Sequence, residues 1–209
     1  RCSRDWSSDV CSSDLGVTAF LPTTMCDSLE NTRGALEGVR RAMDAAEGAT
    51  VLGAHLEGPF LNAARKGAQP ERYVKNPSLD AYAHLVEGYE TLPRILTIAP
   101  ETLGAMELIG ILKGKLALSG GHTDASCEEF LKAVDAGLTQ ATHLFNAMSP
   151  FGHRAPGATG AALSDPRVRV QLIADLVHLH PATLKVVWRA KGAAGDRKST
   201  RLNSSHGYI

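Results

Sequence analysis

The stretch Val51-Leu-Gly-Ala-His-Leu-Glu-Gly-Pro59 (VLGAHLEGP, residues 51–59) decides how this chain reads. A short apolar run leads into His55 and Glu57, and Gly58-Pro59 then interrupts the chain. Proline has no N–H to donate to a sheet ladder, so the run must end there. A short apolar run without polar alternation fits a strand buried on both faces of a parallel sheet. A carboxylate at the end of such a strand marks the C-terminal edge of the sheet as the place for a site.

Two later strands finish in the same way. Lys115–Ser119 (KLALS) runs into Gly120-Gly121-His122, and Thr139–Thr142 runs into His143. Val17–Thr24 reads as a strand ahead of the opening stretch. Asp27 with Glu30 then makes a capping-box pattern, opening a helix whose Leu29, Leu36, Val39 and Met43 share a face. A helix over Ser78–Tyr89, a strand over Arg94–Ala99 stopped by Pro100, and a helix over Thr102–Leu112 come next. The last of these carries Leu103, Met106, Ile109 and Leu112 on one side. Ser126 and Glu129 form a second capping box, and Gly137 caps the same helix at its other end. Val168–Ala174 is a strand ending at Asp175, and Pro181 opens the last helix. Long Gly/Pro-rich loops, Leu61–Asn76 and Leu144–Gly160, come after Glu57 and His143.

Six strands alternating with helical or loop crossovers predict an α/β fold with a parallel sheet. Open doubly wound sheets and closed barrels both fit the alternation. The polar residues favour the barrel. Glu57, His122, His143 and Asp175/His178 sit at the ends of several strands, as around a barrel mouth, whereas an open sheet gathers its site at one switch point. The expectation is a partial (β/α)8 TIM-type barrel of about six of the eight βα units.

The chain's 209 residues suit one sizeable core, and 22 basic residues balance 22 acidic ones. That balance excludes the charge excess of a nucleic-acid or anionic-membrane surface. No apolar run reaches the roughly 18 residues of a membrane span. Arg1–Leu15 lacks the apolar core of a secretory signal, which points to the cytoplasm. The four cysteines, Cys2, Cys11, Cys26 and Cys127, read as free thiols. Residues 1–15 repeat Ser-Ser-Asp, and residues 195–209 are rich in Ser, Asn, Arg and Lys. Both resemble adapter read-through or a disordered tail. The informative unit is 16–194, and it reads as a piece of a longer protein.

A carboxylate with two imidazoles is a sufficient ligand set for a catalytic divalent ion, with a position left for water. Hydrolysis of an amide or related bond is the matching reaction class. The spacing is long, 65 residues from Glu57 to His122 and 21 to His143, so the signal is topological rather than a short motif. The competing reading is that each strand-end His is a hydrogen-bonded structural residue, and Gly120-Gly121 merely a tight turn. Asn146 reads as a substrate contact or a loop cap, and Arg154 as an anion contact or a solvated surface residue. His178 and His180 share a face on an extended chain, one reaching the site and the other structural. Nothing in composition singles out Gln69.

At these residues a resemblance emerges. His55-Leu-Glu-Gly-Pro-Phe-Leu-Asn62, Lys66-Gly-Ala68, Gly121-His-Thr-Asp124, Thr142-His-Leu-Phe-Asn-Ala-Met148, Arg154-Ala-Pro-Gly157 and Ile173-Ala-Asp-Leu-Val-His-Leu-His180 occur in order. The set resembles the N-acetylglucosamine-6-phosphate deacetylase family of the amidohydrolase superfamily. The resemblance implies a (β/α)8 barrel with a small β-sandwich, and hydrolysis of the acetamide of N-acetylglucosamine 6-phosphate. It implies Glu57, His122 and His143 as ligands of a divalent metal, zinc first, with iron, manganese or cobalt as alternatives. It implies Ala68, Asn146, Ala147, Arg154 and His178 as contacts to the sugar phosphate, and a homodimer. Gln69 stands where many members have His, and Leu176 where many have Gly. The family's proton-transferring Asp lies in a Thr-Asp-Ala motif whose spacing from His143 falls near Thr200, where no such motif occurs. The resemblance therefore assigns no catalytic residue within this chain. An inactive fragment, or an amidohydrolase for another amide, are the alternatives.

Overall fold

The computed structural model describes residues 17–45, 48–192 and 201–203. The expected first strand is present as two pieces, β1 (Ala19–Phe20) and β2 (Thr23–Thr24). Helix α1 spans Leu29–Ala45, and the opening stretch forms β3 (Thr50–Val51) and β4 (Ala54–Glu57). Pro22 breaks the first strand because it cannot donate to a ladder. Gly53, at φ 134°, breaks the second. Single backbone bonds bridge both breaks, from Leu52 N to Phe20 O at 3.0 Å and from His55 N to Pro22 O at 2.9 Å.

The remaining elements are α2 (Leu79–Val86), β5 (Pro93–Ile98), α3 (Ala105–Leu112), β6 (Ala117–Gly120), α4 (Cys127–Ala136), β7 (Gln140–Ala141), α5 (Gly157–Ser164), β8 (Arg169–Ile173), α6 (Pro181–Lys191) and β9 (Arg201–Asn203). The sheet order is β2-β4-β5-β6-β7-β8-β9, and every pairing is parallel. Sequential strands are neighbours throughout, as in a barrel wall and unlike the reversed order of a doubly wound sheet. The fold is an α/β half-barrel of curled parallel sheet backed by helices. Its core joins Leu56, Leu96, Ile98 and Leu118 of the sheet to Leu36, Ile109, Phe130 and Val187 of the helices. Residues 1–15 lie outside the described part. Within 195–209 only Arg201–Asn203 is described, as a strand beside β8.

Several local expectations shift. The N-cap of α1 is one residue later than expected: Ser28 Oγ accepts from Asn31 N, while Asp27 Oδ1 accepts from Ser28 N. Helix α3 buries Ala105, Leu108, Ile109 and Leu112, and exposes Met106, while Leu103 precedes it. The Ser126–Glu129 capping box forms as expected. Helix α5 falls where the second long loop was expected to continue. Its Gly-Ala-Thr-Gly-Ala-Ala run is buried all round, so no amphipathic period announces it. Gly120-Gly121 is not a positive-φ turn. A Cβ on Gly120 would meet Phe130 Cε2 at 2.3 Å, and one on Gly121 would meet Thr142 Cβ at 2.7 Å. These glycines let α4 lie close on β6 and let β6 pass close to the residues ahead of His143.

Candidate metal centre

Glu57 is the last residue of β4, His122 lies two residues past β6, and His143 two residues past β7. Parallel strands of one sheet deliver all three to the same end of it. His122 Nε2 lies 3.0 Å from Glu57 Oε1, His143 Nε2 lies 3.5 Å from the same oxygen, and the two Nε2 atoms are 3.1 Å apart. Glu57 and His122 are each 4% exposed. The two rings meet edge to face, with planes at 82°.

The backbone sets the ring orientations. His122 has φ 47° and His143 φ 31°, in the region L-residues seldom adopt. Phe145 and Ala147, in the loop after His143, are also at positive φ. Such conformations persist where surrounding contacts over-determine them, and they gather at functional sites. Here the contacts are visible. Thr123 N donates to Ala147 O at 3.1 Å and Ser149 N donates to Thr123 O at 2.9 Å, so the two histidine turns run together beyond the strands.

The hydrogen bonds also fix the tautomers. His122 Nδ1 donates to Arg65 O at 2.9 Å, and His143 Nδ1 donates to Asn146 O at 3.1 Å. With Nδ1 protonated, each neutral ring turns a bare Nε2 lone pair inwards. Three acceptors thus face one another in a buried space, which is unfavourable unless a cation or proton lies between them. Two donors about 2.0–2.1 Å from a tetrahedral ion are about 3.3 Å apart. The observed 3.0, 3.1 and 3.5 Å bracket that value. The donor set and spacing therefore fit a divalent ion.

The electrostatics agree in direction. Burial pushes the Glu57 carboxyl up, but the His122 and His143 imidazoles facing it and the charges of His143 and His55 outweigh this. The group is held well below the usual carboxylate range. Burial lowers His143, yet its hydrogen bond to Glu57 and that residue's charge raise it overall.

Gln69, which composition did not single out, is part of this centre. It is 2% exposed, donates from Nε2 to Glu57 Oε1 at 3.1 Å, and accepts from Cys26 N at 2.8 Å. Gly58 has φ 112°, and a Cβ there would lie 2.7 Å from Cys26 Cβ. Burial, aided by the Asp27 charge, pushes the Cys26 thiol up to about 11, so it stays protonated and packs as a small apolar group. Beneath the centre runs a buried polar chain. His55 Nε2 meets Thr97 Oγ1, Thr97 Oγ1 meets Thr142 Oγ1, and Thr142 Oγ1 meets Ser119 Oγ, each at 2.7 Å. Period-two alternation from Glu57 picks out His55, but the three hydroxyls of the chain below it carry no signal in sequence.

The other expected contacts are spread around this mouth. Asn146 Nδ2 donates to His143 O at 3.2 Å, which caps the histidine turn. Ala147 and Gly67 approach each other beside the His122 ring. Ala68 and Arg154 are exposed, and Arg154 makes no ion pair among the described residues. His178 Nδ1 lies 2.6 Å from Asp175 Oδ2. Backbone N–H donation from His178 and Val177, with the His178 side chain, brings Asp175 down to about 2. His180 is the structural member of the pair, since its Nδ1 accepts from Ala182 N and caps α6.

No family profile matches the chain. It is 40% identical over 194 residues to N-acetylglucosamine-6-phosphate deacetylase of Bacillus subtilis, covering 89% of this chain and 49% of that protein. The crystal structure of N-acetylglucosamine-6-phosphate deacetylase from Thermotoga maritima superposes with a TM-score of 0.81 at 34% identity. That match covers 94% of this chain and 52% of the other. Over most of its length the chain is similar to N-acetylglucosamine-6-phosphate deacetylases. It spans about half the length of the curated relatives it matches. One relative, 33% identical over 85% of this chain and 45% of its own length, is the N-acetylgalactosamine-6-phosphate deacetylase of a Shewanella strain.

Proposed function

We propose that the protein carrying this chain removes the acetyl group of N-acetylglucosamine 6-phosphate by hydrolysis, giving glucosamine 6-phosphate and acetate. The observation that carries this is the convergence of three inward-facing lone pairs at metal-ligand spacing, in a chain related throughout to deacetylases of that sugar phosphate. Glu57, His122 and His143 hold the divalent ion, with zinc preferred for a carboxylate and two imidazoles. When bound, such an ion polarises an acetamide carbonyl and acidifies a water. The backbone carbonyls of Arg65 and Asn146 keep the two rings in the ligating tautomer.

Ala68, Asn146 and Ala147 border the centre and take the sugar. Arg154 takes the phosphate, because a planar, permanently charged guanidinium suits it. His178, held by Asp175, completes the substrate contacts. We assign no proton-transferring residue within the 209 residues. The substrate is a small polar metabolite, so we place the reaction in the cytoplasm, and by the family resemblance in a homodimer. No helix of the described residues is long and apolar enough to cross a membrane.

The Shewanella relative favours a second reading, in which the substrate is the C4 epimer, N-acetylgalactosamine 6-phosphate. Acetate release from the two sugar phosphates, measured side by side with zinc, iron or manganese supplied, separates the readings. No release from either would end both. Replacing Arg154 by Ala should raise KM for the phosphorylated sugar far more than for N-acetylglucosamine, and equal effects would remove Arg154 from the phosphate site.

A further inference from the structure

Strand β5 lies between β4 and β6 yet supplies no ligand to the centre. Its C-terminal end leads directly into Ala99-Pro100-Glu101. We propose that Glu101 is a positioning residue for the His122 imidazole, an inference that rests on the metal-centre reading. Its carboxylate collects donors from two separate segments. Oε1 accepts from Asn62 Nδ2 at 2.8 Å and from Asp124 N at 2.6 Å, and Oε2 accepts from Thr123 Oγ1 at 2.5 Å.

The two segments are the two supports of His122. Thr123 and Asp124 continue the turn that holds His122 at φ 47°. Asn62 belongs to the loop after β4. Its Oδ1 accepts from Ala64 N at 2.9 Å and so opens the 3-10 turn Ala63–Arg65. The carbonyl at the end of that turn, Arg65 O, receives the His122 Nδ1 proton. Asn62 N also donates to His122 O at 2.9 Å, and the Arg65–Asp124 ion pair at 2.7 Å closes the ring of contacts at the surface. One carboxylate therefore fixes both the backbone that carries the imidazole and the carbonyl that sets its tautomer. Three converging donors call for a group that only accepts, which is what an ionised carboxylate is. A glutamine can accept two of them and must present its NH2 to the buried Thr123 hydroxyl, which has a lone pair to receive it.

The test measures zinc affinity of the 209-residue chain by competition with a chromogenic chelator, together with the visible spectrum of the cobalt-loaded chain and the melt of the metal-free chain. Glu101→Ala should weaken zinc about 10–100-fold, the usual cost of removing an outer partner of a metal ligand. It should also change the cobalt spectrum. Glu101→Gln should recover most of both. Ser78→Ala, which removes the side-chain cap of α2, serves as the stability control and should leave zinc affinity unchanged. Zinc binding within twofold of the unsubstituted chain, with the same cobalt spectrum, would overturn the role of Glu101. So would an equal loss in Ser78→Ala. Should Glu101→Ala fail to fold, Asn62→Ala carries the test: it should bind zinc measurably more weakly, and an unchanged affinity refutes the role. If the unsubstituted chain binds no zinc, the metal-centre reading itself falls, a result distinct from any difference among variants.

Discussion

Glu57→Gln separates a metal centre from a proton-sharing structural cluster. Oε1 of Glu57 is the vertex that both imidazoles face, at 3.0 and 3.5 Å. Gln69 Nε2 donates to that same oxygen at 3.1 Å. A carboxamide at position 57 will therefore place its oxygen there, since its NH2 would oppose a donor. Shape and one acceptor survive, and the negative charge is what disappears. Taking the loss as a hundredfold in zinc affinity, mass action gives the consequence for stability. At zinc one hundred times the unsubstituted Kd, binding adds about 2.7 kcal/mol to the unsubstituted chain and only about 0.4 kcal/mol to the variant. For a domain of this size 1 kcal/mol moves Tm by about 2–4 °C, so the zinc-induced shift should fall from about 5–11 °C to about 1–2 °C. The assay is a thermal melt of each protein with and without zinc, free zinc being buffered. A variant that keeps the full zinc-induced shift would refute the assignment of Glu57 as a ligand.

The metal-free chain should show a pH signature of the same cluster. Glu57 is depressed, so its contribution is complete above the usual carboxylate pKa of about 4.3 and is lost as pH falls through its folded value. His143 is raised, so its contribution is complete below about 6.5 and is lost as pH rises through its folded value. Stability from the pair should peak between those limits in urea titrations, and zinc binding there should release a proton, seen by calorimetry in buffers of different ionisation enthalpy. Gly121→Ala would put a methyl 2.7 Å from Thr142 Cβ and 3.0 Å from Thr97 Cγ2. It should cost about 1–3 kcal/mol in denaturant melts and loosen zinc, because both contacts underlie the histidine turns. An unchanged melt would show that β6 and β7 can part freely. Leu176, at φ 63° and 62% exposed, should tolerate glycine. Relief of the left-handed backbone, about 1–2 kcal/mol, offsets the entropy that glycine loses, about 0.5–1 kcal/mol. A loss above about 1 kcal/mol in the same melts would mean its side chain is packed, contrary to its exposure.

The strand ends were legible because the signals that make them are local. An apolar run, a chain breaker and a polar residue between them reveal Glu57, His122 and His143, and alternation with helices reveals the parallel order. Helix faces were less secure. In α3 the stripe is Ala105, Leu108, Ile109 and Leu112, and the larger Leu103 and Met106 misled because size is no guide to direction around a helix. Helix α5 had no stripe to find, being buried on every side.

The site's supports were illegible for a different reason. Glu101 lies 21 residues from His122 and 39 from Asn62, with no motif joining them. Gln69 is an ordinary loop residue until the fold brings its amide between Glu57 and Cys26. By itself the sequence determined the α/β alternation, the end of the sheet where the candidate ligands gather and the donor types placed there. Those stem from periodicity and from where the backbone can no longer donate. Only the tertiary structure decided that three donors meet within 3.0–3.5 Å, which nitrogen of each ring faces inwards and which side chains hold them so. These depend on contacts between segments far apart in the chain, and no local pattern encodes them.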